Sequence, residues 1–291
     1  MYQAKVDGKN NHVYFSEELK MQNTERHSIE NELKVALKEN QFELFYQPQT
    51  IANTGEICSV EALLRWNHPE KGLMKPEIFI PILEETGLIV DVGKWVLLKA
   101  TAQLVSWKKS GLNMRMAVNV SEFQLRDSHL HDLISQLLKL HPIQSADLEL
   151  ELKESSVAKN TDACSEALTA LSALGVGLSL DNFGTGYSSL GHLKKLPMNT
   201  VKIDRSFIAG LPQDEHDIAI TTTIIAMARN LHLKVIAEGV ETAEQSTLLN
   251  TYGCDFLQGS YISKPLPAES LERVLQENRE HFSNNAIARI A

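Results

Sequence analysis

Several residue types and patterns are scarce in this chain, and each scarcity closes a class of function. Long apolar runs are missing. Nothing approaches the ~18 consecutive apolar residues of a membrane-spanning helix, and the best candidate, from Ile218 to Ala228, is interrupted by threonines. The opening residues carry Asp7, Glu17 and several lysines around no apolar core, unlike a signal peptide. A cytoplasmic location is the expectation. Cysteine is sparse, with Cys58, Cys164 and Cys254 far apart and no CxxC pair, so free thiols are expected rather than a disulfide framework. Of the histidines, His129 and His131 stand off a shared helix face and no HExxH occurs, so zinc is not expected. Basic residues are outnumbered 28 to 37, a net charge of −9, which argues against a DNA or RNA partner. What remains is an ordinary globular balance of 43% hydrophobic and 22% charged residues in a chain of 291, long enough for a sizeable core.

Residues 1–20 read as a fragment: a helix end, the turn from Asp7 to Asn11, and a short strand from His12 to Phe15. So little chain buries no core, and the expectation is the remnant of a domain lying mostly upstream. Residues 21–40 read as a linker helix and the start of the main domain, with Ile29, Leu33, Ala36 and Leu37 spaced for one face. From 41 to 280 the pattern is rhythmic, and 281–291 read as a tail. Strand-like runs at 42–46, 59–64, 115–120, 147–152, 177–180, 200–203, 234–237 and 255–257 alternate with helical segments. Such alternation predicts a (β/α)8 barrel, with an open doubly wound sheet as the alternative. The connection at 51–55 is too short for a crossover helix and predicts a hairpin, so that one strand runs antiparallel.

In a barrel the active site lies at the C-terminal ends of the strands. Here those ends are polar: Glu61 and Arg65 on the second, Asn119 on the third, Glu151 on the fourth, Asp181 on the fifth, Lys202 on the sixth, Glu238 on the seventh and Gln258 on the eighth. A cap or a solvated loop explains any one of them, but not the set, because buried charges need partners. Leu148, Leu150 and Leu152 alternate with Glu149 and Glu151, which puts both glutamates inside; Val201 and Ile203 do the same for Lys202. Four carboxylates and an amide oxygen form an all-oxygen set that suits Mg²⁺ or Mn²⁺. Two such ions activate a water and clamp an in-line displacement at phosphorus, with Lys202 beside the water and Arg65 on a phosphate. Asp204 and Arg205 read as a structural ion pair at the rim. Glu154 and Glu241, three residues beyond Glu151 and Glu238, read as loop braces or solvated surface.

Glu61-Ala62-Leu63-Leu64-Arg65-Trp66 resembles the signature of EAL-domain cyclic-di-GMP phosphodiesterases. The resemblance extends through Gln47-Pro48, Asn119-Val120-Ser121, Glu151-Leu152-Lys153-Glu154, the Asp181 loop, Lys202-Ile203-Asp204, Glu238-Gly239-Val240-Glu241 and Gln258-Gly259. It implies a modified barrel, often dimeric, that hydrolyses cyclic-di-GMP to linear 5′-pGpG with two Mg²⁺ or Mn²⁺ ions and is inhibited by Ca²⁺. By that resemblance Glu61, Asn119, Glu151 and Asp181 hold one ion. Asp181, Asn182 and Glu238 serve the other, Lys202 contacts the attacking water, and Gln47, Leu64, Arg65 and Gln258 touch the ligand. Glu154 tethers the loop after Asp181, and Glu241 is a supporting counterpart. The opening residues Met1 to Lys5 with Gly8-Lys9-Asn10 resemble the end of a GGDEF domain, although the catalytic GGDEF signature is absent.

One departure stands out. Where the family has two adjacent aspartates, this chain has Asp181-Asn182, and an amide oxygen brings no charge to the second ion. Two alternatives to an active enzyme follow: a receptor that binds cyclic-di-GMP without hydrolysing it, and a barrel serving only as a dimerisation scaffold. A different phosphodiester substrate is also open.

Overall fold

In the computed structural model the described residues are 17–159, 161–186 and 190–288. The expected remnant of an upstream domain falls largely on residues 1–16, outside them. β1 (Phe42–Ile51) and β2 (Ile57–His68) form the predicted hairpin, antiparallel along their length, with Gly55 at φ +80° in the turn. The further strands are β3 (Gly72–Met74), β4 (Arg115–Asn119), β5 (Leu148–Lys153), β6 (Gly177–Phe183), β7 (Thr200–Ile203), β8 (Lys234–Glu238), β9 (Phe256–Gln258) and β10 (Leu266–Pro267).

β2, β4, β5, β6, β7, β8 and β9 pair in that order, all parallel, and β1 closes the ring antiparallel to both β2 and β9. This is a closed eight-stranded barrel with one reversed strand; the open sheet is excluded. β3 and β10 are short additions, antiparallel to β2 and β1. Pairing with β3 is why β2 runs on to His68, beyond the expected 59–64.

Helices wrap the outside: α1 (Glu17–Ala36), α2 (Pro76–Thr86), α3 (Ile89–Lys109), α4 (Glu122–Leu125), α5 (His129–Leu140), α6 (Glu154–Lys159), α7 (Thr161–Ala173), α8 (Leu190–Leu193), α9 (Glu215–Asn230), α10 (Ala243–Tyr252) and α11 (Ala268–Ala288). Their limits follow local chemistry. Pro76 opens α2, where its missing N–H costs nothing, and Gly87 at φ +75° ends it. Ser121 and Thr242 start α4 and α10 with reciprocal capping boxes to Gln124 and Gln245. α11 carries on past residue 280, so the expected tail continues a helix.

The apolar core lies between barrel and helices. On β5 the leucines at 148, 150 and 152 face the helices while Glu149 and Glu151 are also buried, inside the barrel. On β1 Phe42, Leu44 and Tyr46 take the outward face; Tyr46 meets Trp107 of α3 edge-on at 4.9 Å. Trp66, fully buried, packs against Phe42 and Phe79 and donates its indole N–H to Gln41 at 3.0 Å. Ile29, Leu33 and Ala36 of α1 join this core, which makes α1 part of the domain. Cys58, Cys164 and Cys254 are free thiols; Cys58 is only half-buried.

Candidate functional site

The strand register converts a sequence pattern into a site. Neighbouring parallel strands align Asn119 with Glu151, Lys153 with Asp181, and Glu238 with Gln258; the antiparallel pair aligns Gln47 with Glu61. Inward positions one layer apart therefore meet at the C-terminal mouth. Lys202, with no exposed surface, stands at the centre. Its Nζ lies 2.7 Å from Glu151 Oε2, 3.1 Å from Glu61 Oε2, 2.5 Å from Glu238 Oε1 and 3.9 Å from Asp181 Oδ1. Asn119 Nδ2 donates to Glu61 Oε1 at 2.6 Å, and Gln258 Nε2 donates to Glu61 Oε2 at 2.6 Å.

Four carboxylates around one ammonium leave an excess of negative charge where water is scarce. Burial, followed by the neighbouring Glu61, pushes Glu151 well above the usual carboxylate range. Burial raises Asp181 against the pull of Lys202, and raises Glu238 to about 8. Glu61 goes the other way. Burial alone would lift it, but Lys202 and the amides of Gln258 and Asn119 together hold it below its ordinary value. Lys202 is kept firmly protonated, since the four acids outweigh its own desolvation.

The donor set fits divalent cations. Among the described residues no three His, Cys, Asp or Glu side chains are already placed to hold a metal ion; the carboxylates turn to Lys202 instead. Yet Glu151 Oε1 is buried without a hydrogen-bond partner, and the Asn119 amide, by donating to Glu61, leaves its oxygen for another bond. An orphaned carboxylate oxygen among raised-pKa acids is what a hard cation relieves. Glu61, Asn119, Glu151, Asp181 and Glu238 supply the oxygens.

Asp181 ends the regular part of β6, and the loop beyond it is built from unusual backbone. Asn182 has φ +54°, a left-handed conformation that asparagine tolerates. Its N–H donates to Asp181 Oδ1 at 2.8 Å, and its side-chain amide donates to Asp204. Asp204 also accepts the Ser206 N–H at 2.8 Å. Asp204 thus caps a short turn and holds Asn182, while Arg205, its expected ion-pair partner, adds a weaker electrostatic pull on the same carboxylate. Glu154, 2% exposed, accepts the N–H groups of Gly184 and Gly186 at 3.0 and 3.1 Å, so it grips this loop from α6. A Cβ at Gly186 would press on that carboxylate at 2.9 Å.

A cavity of about 420 Å³ opens beside the acids, with Leu64, Arg65, Asn119, Ile80 and Lys153 in its wall. Arg65 stacks 5.5 Å above Phe45, and its Nη1 donates to the Leu64 carbonyl at 2.8 Å. Gln47 Nε2 donates to the Ser263 carbonyl at 3.0 Å and its Oε1 accepts from Gln258. Glu241 stays apart: it is exposed, and its backbone N–H donates to Gln245 Oε1 at 2.7 Å. Sequence reasoning overlooked Gln49 and Ser59, buried under the acids. The available signal was Gln49 standing two residues after Gln47, hence on the same face.

Residues 30–265 match the family described as EAL domain. Over 272 residues, 93% of this chain, the sequence is 43% identical to the Pseudomonas aeruginosa protein named bifunctional diguanylate cyclase/cyclic di-GMP phosphodiesterase MucR, and spans 40% of it. It is 37% identical over 273 residues, 94% of the chain, to the Escherichia coli cyclic di-GMP phosphodiesterase PdeR, of which it spans 41%. Among solved structures, the PaMucR phosphodiesterase in complex with c-di-GMP superposes with a TM-score of 0.81 at 45% identity, covering 84% of this chain and 99% of that one. An EAL enzyme bound to cAMP and cyclic-di-GMP superposes at 0.83 with 31% identity, covering 87% of this chain and 70% of that one. Fold, site and sequence agree, and the chain belongs to the EAL domain family.

Proposed function

We propose that this chain is a metal-dependent phosphodiesterase that opens cyclic-di-GMP to linear 5′-pGpG. The observation that carries the reading is the burial of Glu61, Glu151, Asp181 and Glu238 around Lys202 at the barrel mouth. The likeness to a phosphodiesterase solved with c-di-GMP supports the choice of substrate. Two Mg²⁺ or Mn²⁺ ions are proposed, one on Glu61, Asn119, Glu151 and Asp181, the other on Asp181, Asn182 and Glu238. When bound, they supply Lewis acidity toward a water and positive charge toward the phosphoryl oxygens.

The chain's own groups do the rest. Lys202 orients the attacking water and, as an ammonium, offsets negative charge as it builds on phosphorus. Arg65, held flat by Phe45 and the Leu64 carbonyl, presents its remaining N–H groups to a phosphate at the cavity wall. Gln47 and Gln258 fix the ligand side of the mouth, and Glu154 keeps the Asp181 loop in place. Ca²⁺, which takes more ligands at longer distances, is expected to bind and inhibit.

The test is to incubate the protein with cyclic-di-GMP and Mg²⁺ or Mn²⁺ and follow pGpG by chromatography, beside Glu61→Ala. Turnover that Glu61→Ala abolishes supports the reading; no product with either ion overturns it. Asn182 favours a second reading, a receptor that binds without hydrolysis. That reading predicts nucleotide binding, no turnover, and activity gained in Asn182→Asp. As for the whole protein, we propose a homodimer and a GGDEF-like domain preceding residue 21. The bifunctional name of MucR, of which this chain spans 40%, supports the second.

A further inference from the structure

Beneath the acids the barrel interior is polar and ordered in one direction. Ser59 on β2 and Gln258 on β9 are the direct cross-strand partners of Gln49 on β1, one on each side of it. All three are buried, Gln49 to 1% exposure. The Ser59 hydroxyl donates to Gln49 Oε1. Gln49 Nε2 donates to Gln258 Oε1 at 2.8 Å. Gln258 Nε2 in turn donates to Glu61 Oε2 at 2.6 Å and to Gln47 Oε1 at 3.1 Å. From Ser59 through Gln49 and Gln258 to Glu61 each donor points the same way, with a side branch from Gln258 to Gln47.

Direction matters because an amide has a donor end and an acceptor end, and a half-turn exchanges them. With Gln49 Nε2 on its oxygen, Gln258 has its NH₂ end committed to Glu61. The half-turned amide would set an oxygen against the Glu61 carboxylate and leave two NH₂ groups facing each other in a buried space. The acceptor-only Glu61 carboxylate thus sets the order, and the Ser59 hydroxyl, which can donate or accept, completes it by donating to the Gln49 oxygen. Glu61 is thereby held with Oε2 on Gln258 and Lys202 and Oε1 on Asn119.

We propose that Gln49, held between Ser59 and Gln258, is a positioning residue: it braces the Gln258 amide and, through it, the orientation of the Glu61 carboxylate toward a divalent cation. This rests on the reading of Glu61 as a metal ligand. Gln49 itself touches neither ion nor substrate. Partners of this kind, one bond removed from a ligand, set its orientation and basicity.

The experiment uses Gln49→Met, which keeps the length and loses both bonds, Gln49→Glu, which sets an acceptor against Gln258 Oε1, and Ser59→Ala. Mn²⁺ affinity is measured by calorimetry on the protein without nucleotide, and kcat and KM for cyclic-di-GMP at saturating Mn²⁺. Gln49→Met is expected to weaken Mn²⁺ binding and lower kcat by about tenfold each, with KM within about twofold; Gln49→Glu is expected to lose more, and Ser59→Ala roughly threefold. The effect of Gln49→Met should vanish when Gln258→Met is already present, which a merely structural role would not produce. Unchanged Mn²⁺ affinity in both Gln49 variants, or an undiminished loss beside Gln258→Met, overturns the proposal. Should Gln49→Met fail to fold, Gln49→Glu decides on the same readouts. An unaltered chain that binds Mn²⁺ but makes no pGpG defeats the phosphodiesterase reading alone, and one that binds no Mn²⁺ defeats both.

Discussion

The side-chain amide of Asn182 donates to the carboxylate of Asp204, across the gap between the β6 and β7 ends. An aspartate at 182 could not make that bond: two carboxylates would face each other. The acid missing from position 182 is therefore accompanied by a neighbouring acid tied down by the amide. Asn182→Asp is expected to lower the melting temperature of the metal-free protein by about 2–4 °C and to strengthen Mg²⁺ binding, since a second charge joins the site. Melting curves with and without Mg²⁺ check both signs at once.

Lys202 is the counter-ion of the metal-free site. Lys202→Met leaves four acids facing one another, and breaking buried pairs of this kind costs roughly 3–5 kcal/mol. The expected result is a large loss of stability without metal, a larger rescue by Mg²⁺ than in the unaltered chain, and turnover reduced at least about 10²-fold. Chemical unfolding at several Mg²⁺ concentrations, beside a turnover assay, measures it.

The site also predicts a pH dependence. Glu238, ordinarily at 4.5, is raised by burial to about 8. Between those values the folded chain holds a proton that the unfolded chain releases, so this group's stabilisation is complete below 4.5 and lost as pH rises through 8. Glu61, lowered, acts in a different window: its contribution is present above 4.5 and lost in acid. Metal-free melting temperatures should fall between pH 5 and pH 8. Metal needs the ionised carboxylate, so stabilisation by Mg²⁺ should grow over the same range and level off above it. A flat Mg²⁺ effect across that range would contradict the site's electrostatics.

Glu154 holds the Asp181 loop through two backbone N–H groups. Glu154→Ala frees both, at a local cost of about 1–3 kcal/mol. Faster proteolysis near Gly184 and Gly186 is expected, with kcat reduced about tenfold through loss of positioning. Limited proteolysis alongside kinetics separates a loosened loop from a destabilised barrel.

Much of the barrel is written in the sequence because the physical signals are short-range. The Leu148–Leu150–Leu152 alternation and the five-residue link at 51–55 each constrain the fold within a few residues, and together they lead to a ring with one reversed strand. The inward acids are legible for the same reason: a charge at an inward strand position is costly without a partner. Less legible was anything depending on which side chain answers which. Asp204 stands beside Arg205 in sequence, which suggests an ion pair, yet it bonds Asn182, 22 positions away. Glu241 follows Glu238 at the same interval as Glu154 follows Glu151, but it ends exposed beside the cap of α10, whereas Glu154 turns inward onto the Gly184 and Gly186 N–H groups.

By itself the sequence determined the alternation of strands and helices, the ligand types at the strand ends and, through its signature motifs, the family. Tertiary structure alone decided the register: that Gln49 lies between Ser59 and Gln258, and that Lys202 sits within reach of four acids drawn from β2, β5, β6 and β8. The reason is physical. Periodicity within one strand fixes which face a residue occupies, whereas its neighbours across the barrel depend on how eight strands tilt, stagger and close.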